Sequence, residues 1–360
     1  MDFDLDETQQ AVAELAATVL RGEADSARTA QALAGECGYD ETLWKAMGQA
    51  GLLALALPES LGGDGFGPVE VASVLAAVGR QTQPVPALAT LALGVLPVVA
   101  LGSVEQQRAL LPEVADGQIL TAAIREASRA MPIDPATTAR RSGARFIVTG
   151  RKLGVQYAAQ AHRVLVTTDA GVLIVDPRAE GVTLIRTPSS SGAPEFTMRL
   201  DEVPVAETDL LSSDVATVHR LATAGAAAVG HGVIAGALAL TAGHLGTRHQ
   251  FGKPLATFQA VAQEIADVYI VARTVELAAA SVNWRLAAGL DADDDLDVAG
   301  YWLAQELPAA LQVCHHLHGG LGVDITYPMH RYYSQAKDLA RFVGGAAYRL
   351  DLIGARCSSN

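Results

Sequence analysis

The sequence is poor in three features that mark particular classes of protein: cysteine, positive charge and long apolar runs. Three of its 360 residues are cysteines. Cys37, Cys314 and Cys357 lie far apart without metal-type spacing, which excludes a disulfide framework and favours a reducing compartment. Lysine and arginine number 26 against 39 aspartates and glutamates, giving a net charge of −13. This balance argues against nucleic acid as a partner, so local arginine or lysine must meet any anionic ligand.

The most apolar run, residues 87–101, is too short and too interrupted for a membrane span. It contains Thr90, Gly94 and Pro97, whereas a spanning helix needs about 18 uninterrupted apolar residues. We interpret it as a buried helix. The amino terminus, Met1-Asp-Phe-Asp-Leu-Asp-Glu7, is acidic where a signal peptide would be basic. We therefore expect a cytoplasmic protein with no membrane partner.

What the sequence does contain is apolar periodicity, which changes twice along the chain. Half of the residues are apolar, enough for a large core and for two or three subdomains. Up to residue 117, apolar residues recur at helical spacing. The predicted helices are 7–21, 41–53, 69–81, 86–101 and 104–114. We predict an N-terminal helical domain over residues 1–117.

Residues 118–212 read instead as short strands separated by Asp, Gly, Pro and Ser clusters. The predicted strands are 119–124, 145–149, 163–168, 172–175, 182–186 and 196–200. Their close spacing favours hairpins and a small antiparallel β-barrel over βαβ units. A G-x-G-x-x-G turn that opens a helix is also missing, so a Rossmann site is not expected.

Residues 213–360 return to long helical periodicity and predict a four-helix bundle. The predicted helices are 214–246, 257–289, 296–318 and 334–356, with the acidic linker Asp291-Ala-Asp-Asp-Asp-Leu-Asp297 between the second and third. The fold class is thus mixed α and β, mostly α. Its order is a helical domain, a β-barrel and a helical bundle.

Three stretches of the C-terminal segment carry the most specific signal. They are Arg248-His-Gln-Phe-Gly-Lys-Pro-Leu255 with Phe258-Gln259, then His315-His-Leu-His-Gly-Gly-Leu-Gly322, and Tyr327-Pro-Met-His-Arg-Tyr-Tyr333. Together with the domain order, they resemble acyl-CoA dehydrogenases, which desaturate the α,β bond of an acyl thioester with FAD. Gly62-Gly-Asp-Gly65 and Val85-Pro-Ala-Leu-Ala-Thr90 are further similar to the small subunits of actinobacterial sterol side-chain acyl-CoA dehydrogenases, which are heteromeric. The resemblance implies a steroid side-chain acyl-CoA as substrate.

The same resemblance implies a set of FAD-binding residues. Arg248 would reach across the subunit interface to FAD held by a neighbouring subunit, where its planar guanidinium suits the pyrophosphate. Gly319 and Gly320 would let the backbone approach the adenosine, because they carry no Cβ. His316 stands where the family usually has Gln and can still donate one hydrogen bond. The implied set is Arg248, Gln250, Phe251, Gln259, His316, Gly319 and Gly320; the alternatives are a surface arginine at a helix end and a glycine helix cap.

The parts that hold the flavin ring depart from the family pattern. The T-E-P strand of active members reads Ile124-Arg125-Glu126-Ala127, which puts bulky Arg125 in place of a small hydroxyl residue. The W-I-T or W-I-S segment reads Lys152-Leu-Gly-Val-Gln156, so Gly154 stands where the stacking Trp is expected. The resemblance therefore implies that this chain does not hold a flavin ring of its own.

The catalytic base departs from the pattern too. α-Proton abstraction needs a carboxylate over Cα, and the family's Y-E-G-T glutamate corresponds to Gly344. Asp351 lies seven residues further on, roughly 10 Å along a helix axis, too far to replace it. Some relatives carry the base on the first bundle helix, where His219 stands; its pKa suits base chemistry, although a plain helix-face histidine is the alternative. Arg220 beside it would steady a carboxylate or a CoA phosphate.

These observations predict a subunit without a catalytic base of its own in a heteromeric acyl-CoA dehydrogenase. A paralogous partner, with two copies of each chain in the assembly, would supply the glutamate and the flavin-ring cradle, and FAD would be shared between the subunits. Two rivals remain open: a homodimeric flavoenzyme with His219 as base, and a structural or regulatory paralogue that binds no cofactor. No metal site is expected, because the clustered histidines lack a completing ligand set.

Overall fold

A computed structural model of the chain describes residues 3–358. Its N-terminal part is helical, and aspartate or serine side chains cap several helix starts. The Asp6 carboxylate accepts from the backbone N–H of Gln9 at 2.8 Å, and Gln9 reaches back to the Asp6 N–H at 3.1 Å, which satisfies two otherwise unpaired groups. The helices are α1 (Glu7–Gly22), α2 (Ser26–Ala34), α3 (Glu41–Gln49), α4 (Pro68–Gln81), α5 (Leu96–Leu101) and α6 (Val104–Leu110).

The N-terminal helices differ from the prediction at two places. The run predicted as one helix over 86–101 winds as a π-helix over Leu88–Val95 before α5 begins. The run remains almost entirely buried, as predicted. Helix α2 was not predicted, because its nine residues include only one that is fully buried, Thr29, and so present no strong apolar period.

The middle part forms two four-stranded sheets. The strands are β1 (Leu120–Ala123), β2 (Thr138–Ser142), β3 (Arg145–Gln156), β4 (Arg163–Thr168), β5 (Gly171–Val175), β6 (Val182–Thr187), β7 (Glu195–Ala206) and β8 (Leu210–Ser212). One sheet has the order β1-β4-β5-β8 and the other β2-β3-β7-β6. Apolar residues from both sheets share one buried cluster, including Val148, Val164 and Phe196.

The prediction of a purely antiparallel barrel is wrong in one pairing. Strands β1 and β4 run parallel, with Leu120 opposite Arg163, because β2 and β3 between them in sequence leave for the other sheet. The β3–β7 pairing is irregular between Lys152 and Val155. Gly154 lies in this bulge with φ of 61°, a left-handed conformation that favours glycine. The bulge sets the shape of the predicted flavin-ring position.

The C-terminal part is a helical bundle built around one very long helix, α7. Its helices are α7 (Val215–Thr247), α8 (Gln259–Ala287), α9 (Asp293–Tyr301), α10 (Leu307–His318), α11 (Met329–Phe342) and α12 (Ala346–Cys357), and the two-residue strands β9 (His249–Gln250) and β10 (Lys253–Pro254) form a hairpin after α7. Among residues 3–358, α7 is the one helix long and apolar enough to cross a membrane. However, 83% of its most apolar window is buried in the protein, which identifies it as the core helix of the bundle.

The prediction of one helix over 334–356 is wrong, because the chain breaks at Gly344 and Gly345. Their φ angles are 96° and 84°, which a continuous α-helix excludes. Helix α12 is then anchored by the buried Arg349. Its Nη1 lies 3.0 Å from Oδ1 of Asp297 in α9, and its Nε donates to the carbonyl of Val343 at 2.8 Å. This anchor fixes the geometry of the two glycines.

Candidate cofactor groove and base position

Five of the seven predicted FAD-binding residues lie together. Arg248, Gln250, His316, Gly319 and Gly320 line one open groove of about 710 Å³ between the ends of α7 and α10. That volume is in the range of small-molecule and cofactor sites, roughly 300–1,000 Å³. The other two lie outside the groove. Gln259 is the exposed first residue of α8, and Phe251 stands at the tip of the β9–β10 hairpin.

The end of α7 places the Arg248 guanidinium at the groove. Arg248 leaves the helix in an extended conformation, while its N–H still donates to the carbonyl of His244 at 2.8 Å. Its own carbonyl accepts from the N–H of Leu255 at 2.9 Å, which closes the hairpin back onto the helix. The backbone of Arg248 is thus held at both sides. Within residues 3–358 its side chain forms no ion pair.

The glycines opposite Arg248 leave the groove open. A Cβ placed on Gly319 or on Gly320 would meet no other atom within 4 Å, so no side chain of this chain covers their backbone. Gly319 has φ of 58° and ends α10. An arginine without an ion pair among residues 3–358 and two glycines in one groove suit a phosphate-bearing ligand.

The hairpin tip carries an aromatic ring in solvent. Phe251 adopts φ of 52° and is 93% exposed. Its only ring partner among the described residues is Phe258, edge-on at 6.3 Å. A bulky residue with positive φ is an uncommon and strained conformation. An exposed large ring at such a position is a feature of contact surfaces.

The position predicted for the flavin ring is filled by charged side chains. A Cβ on Gly154 would lie 2.9 Å from Nη1 of Arg125, and 3.4 Å from both Nη1 of Arg341 and Oε2 of Glu195. Nη2 of Arg341 donates to both carboxylate oxygens of Glu195 at 2.7 Å. Burial raises the pKa of Glu195 and lowers the pKa of Arg125. Any side chain at residue 154 would therefore require the Arg125 guanidinium to move.

Asp338 extends this network and closes the space beside it. Its carboxylate accepts from the backbone N–H groups of Ser190 and Ser191 at 2.9 and 2.8 Å, and it lies 3.2 Å from Nη2 of Arg341. The cavity that remains next to Glu195 and Asp338 holds about 100 Å³. This is well below the roughly 300–1,000 Å³ of ligand pockets. The space beside the Glu195–Arg341–Asp338 network is therefore small.

A buried ion pair between Lys152 and Glu126 lies next to Arg125 along the chain. Nζ of the fully buried Lys152 donates to Oε1 of Glu126 at 2.7 Å and to Thr167 at 2.9 Å. Burial lowers the pKa of Lys152 to about 8. Burial alone would raise the pKa of Glu126, but the hydrogen bonds from Lys152, Thr137 and Ala136 lower it to about 2. The carboxylate is saturated and takes a structural role.

The predicted base position is also filled. A Cβ on Gly344 would overlap the ring of Tyr348 and lie 2.7 Å from Cβ of Ala130. The Tyr348 hydroxyl donates to the carbonyl of Met131 at 3.4 Å, which holds the ring there. Asp351 lies on α12 as an exposed residue.

His219, the alternative base, is buried and isolated. Its side chain is 6% exposed, and neither ring nitrogen has a hydrogen-bond partner among the described residues. Burial, reinforced by the positive charges of Lys152 and Arg349, lowers its pKa to about 4. Neighbouring Arg220 binds Asp293 through two hydrogen bonds of 2.6 and 2.9 Å, so the prediction that it steadies a carboxylate is confirmed.

We expect His219→Ala to change turnover of the assembled enzyme by less than about tenfold. A general base contributes about 10²–10⁴-fold, whereas the lowered pKa of His219 makes it a weak base. The measurement is kcat with an acyl-CoA substrate, beside circular dichroism to verify folding. A hundredfold loss of kcat in a folded variant would instead support the homodimeric flavoenzyme with His219 as base.

Sequence reasoning missed Glu195, Arg341 and Asp338. Glu195 is 146 residues from Arg341, so no local motif joins them; the only signal is Arg341 three residues before Gly344. The histidine cluster, by contrast, was visible in the sequence. Among the described residues no three His, Cys, Asp or Glu side chains form a metal-ligating group.

The class of protein follows from two matches to family models, one in each helical part of the chain. Residues 6–118 match the acyl-CoA dehydrogenase N-terminal domain, and residues 215–357 match the acyl-CoA dehydrogenase C-terminal domain. The chain belongs to the acyl-CoA dehydrogenase family.

Relatives with high coverage narrow the comparison within that family. The chain is 50% identical to acyl-CoA dehydrogenase FadE28 of Mycobacterium tuberculosis, over 99% of both chains. It is 33% identical to a chain of a variant of the Tcur3481–Tcur3483 steroid ACAD, with a TM-score of 0.92 over 98% and 99% of the two chains. It is 31% identical to a chain of the ChsE4–ChsE5 complex from Mycobacterium tuberculosis, with a TM-score of 0.93 over 100% of both. FAD is the cofactor of the family.

Proposed function

We propose that this chain is the subunit of a heteromeric acyl-CoA dehydrogenase that completes the FAD site of a paralogous partner and leaves the chemistry to it. One contrast carries the proposal. The groove of Arg248, His316, Gly319 and Gly320 is open and without an internal counter-ion, whereas the ring position at Gly154 and the base position at Gly344 are filled by this chain's own side chains. The partner would supply the glutamate base and the ring cradle.

The groove residues fit the dinucleotide end of FAD. The free guanidinium of Arg248 would pair with the pyrophosphate, and the uncovered backbone of Gly319 and Gly320 would lie against the adenosine. When bound, FAD supplies the hydride acceptor for α,β-desaturation. This chain's residues would bind and orient it, and Gln250, Phe251 and Gln259 would contact the partner or the cofactor at the edge of the groove.

An exposed apolar stripe on α8 supports assembly with a partner. Tyr269, Ile270 and Leu277 are 56%, 59% and 48% exposed, and their spacing of one, seven and eight residues places them on adjoining faces of one helix. Phe251 adds a fourth exposed apolar side chain. Exposed apolar groups of this size mark interaction surfaces.

The finer features of the proposal follow the relatives that are named as complexes. We assign two copies of each subunit, one FAD per heterodimeric pair, a cytoplasmic location and a steroid side-chain acyl-CoA as substrate. The similarity to chains of a steroid ACAD and of a two-subunit complex supports the steroid substrate and the paralogous partner. The division into domains at 1–117, 118–212 and 213–360 remains a prediction.

Co-expression tests the proposal directly. The chain would be produced alone and together with a paralogous acyl-CoA dehydrogenase subunit from the same genome, and the visible absorption spectrum and molar mass of each product would be recorded. We expect a colourless lone chain and a yellow complex with about one flavin per two chains. Stoichiometric flavin in the lone chain would contradict the proposal, and a stable colourless complex would favour the structural rival.

The buried His219 is what disfavours the homodimeric enzyme. A base must reach the substrate α-proton directly or through one water. His219 is only 6% exposed, and its backbone carbonyl accepts from the hydroxyl of Thr223 at 2.9 Å.

A further inference from the structure

Three histidines line the same groove as Arg248, and two of them are stacked. The rings of His244 and His318 lie with centroids 4.5 Å apart and planes 22° from parallel. His244 is on the last turn of α7, His318 ends α10, and His316 lies on the groove two residues earlier. Stacking of rings from two helices holds the imidazoles in a defined orientation.

Both ring nitrogens of His318 are already used. Nδ1 lies 2.8 Å from the carbonyl oxygen of Cys314, so it carries the proton, because a carbonyl only accepts. Nε2, 3.1 Å from the hydroxyl of Tyr327, is then the acceptor. His318 is 5% exposed. It is a fixed platform with no donor left for a ligand.

The ring of His244 stacks on His318, and its N–H group has no hydrogen-bond partner among the described residues. Within residues 3–358 its side chain makes no hydrogen bond that competes for the ring nitrogens, and the ring is half-buried and lines the groove. It lies four residues before Arg248, so both side chains are on one face of the last turn. The four-residue spacing between His244 and Arg248 is visible in the sequence, and it is the one sequence signal for His244.

We propose that His244 is a further contact for FAD, donating an imidazole N–H to the pyrophosphate or the adjacent ribose of the cofactor held by the partner. The inference rests on the proposed function of the groove. His318 and Tyr327 act as positioning residues, since they fix the plane of the His244 ring without touching the cofactor.

The charges around His244 determine the pH dependence. Burial and the positive charge of Arg248 lower the pKa of His244, and His315, His316 and His318 on α10 are the other titratable groups on that side. A bound pyrophosphate would raise the pKa of His244 again. Because the proton is then held more tightly in the bound state, the affinity for FAD increases as pH falls from the bound-state pKa to the lower free-state pKa, and it levels off below that.

The test uses the co-purified complex after removal of its flavin. His244→Phe keeps a ring on the His318 platform and removes the donor, and His244→Gln keeps a donor. A hydrogen bond to a charged group contributes about 1.5–3 kcal/mol, so we expect His244→Phe to weaken FAD binding about 10- to 150-fold, measured by titration of flavin fluorescence. His244→Gln should recover most of the affinity, and His162→Phe, in the β-sheet part of the chain, should match the unchanged complex.

The outcomes separate this inference from the function on which it rests. If Arg248→Ala weakens FAD binding but His244→Phe and His162→Phe both bind FAD as the unchanged complex does, the His244 contact is wrong and the groove assignment stands. If Arg248→Ala also binds FAD normally, the proposed function fails. A second readout is the change in FAD affinity between pH 8 and pH 6, which His244→Phe should flatten. Thermal melting of the flavin-free complexes controls for folding.

Discussion

A complex that carries Arg248→Ala should be purified almost without flavin. The guanidinium has no counter-ion among residues 3–358, and its backbone is held at both sides, so it is prepared for an anion that this chain does not provide. Truncating one partner of a buried charge pair costs about 2–5 kcal/mol, which corresponds to about 30- to 4,000-fold in affinity. The measurement is the ratio of flavin absorbance to protein in the purified complex.

Two further variants serve as comparisons for the flavin content of the Arg248→Ala complex. Arg248→Lys keeps the charge but loses the planar, two-pronged donor geometry, so its flavin content should lie between those of the unchanged and alanine complexes. Arg178→Ala removes an exposed arginine that pairs only with Asp176 and two carbonyls on the β-sheet part, and it should keep full flavin. Equal flavin content in the Arg248→Ala and Arg178→Ala complexes would show that Arg248 does not meet the cofactor.

Gly344→Glu, which places a carboxylate at the family's base position, should produce neither activity nor a second flavin site. The added side chain meets Tyr348 and Ala130, and residue 344 has φ of 96°. Backbone strain of about 1–3 kcal/mol adds to overpacking of about 1–3 kcal/mol. We expect a loss of roughly 3 kcal/mol or more in the free energy of unfolding, measured by denaturant titration.

Gly345 provides a matched control for the steric part of this loss. Its φ is 84°, but a Cβ there would meet nothing within 4 Å. Gly345→Ala therefore reports backbone strain alone, and Gly344→Ala reports strain together with overlap. The alanine at 344 should be the more destabilising of the two by about 1–3 kcal/mol. A Gly344→Glu chain that retains normal stability and takes up flavin by itself would falsify the account of a filled base position.

Sequence reasoning succeeded where the relevant residues are neighbours along the chain. Two short motifs contain the groove residues: one holds Arg248 and Gln250, and the other holds His316, Gly319 and Gly320. The ends of α7 and α10 bring these two motifs to one groove. The long helices were predicted because a wide apolar stripe repeats over many turns. The filled ring position was not predicted, since Glu195 approaches Arg341 only after β7 and α11 have packed. Gly154 suggested a missing ring, but not that charged groups stand in its place.

Errors in the predicted elements have equally specific causes. The helix expected over 334–356 breaks because two adjacent glycines adopt positive φ, and apolar spacing does not register such a break. The parallel pairing of β1 with β4 escaped prediction because short strands with turn signals are typical of hairpins. The small helix α2 carried too few buried residues to show a period.

The charged network at Gly154 also limits how this subunit can change over time. A return to a self-sufficient enzyme would require a ring at residue 154, removal of the Arg125 side chain, release of the Glu195–Arg341 pair and a carboxylate at residue 344 with a smaller neighbour than Tyr348. The carboxylate at residue 344 is destabilising when it is introduced singly, because of backbone strain and overlap with Tyr348. Under the proposed division of labour, this chain therefore depends on its partner for activity and does not regain independence by a single substitution.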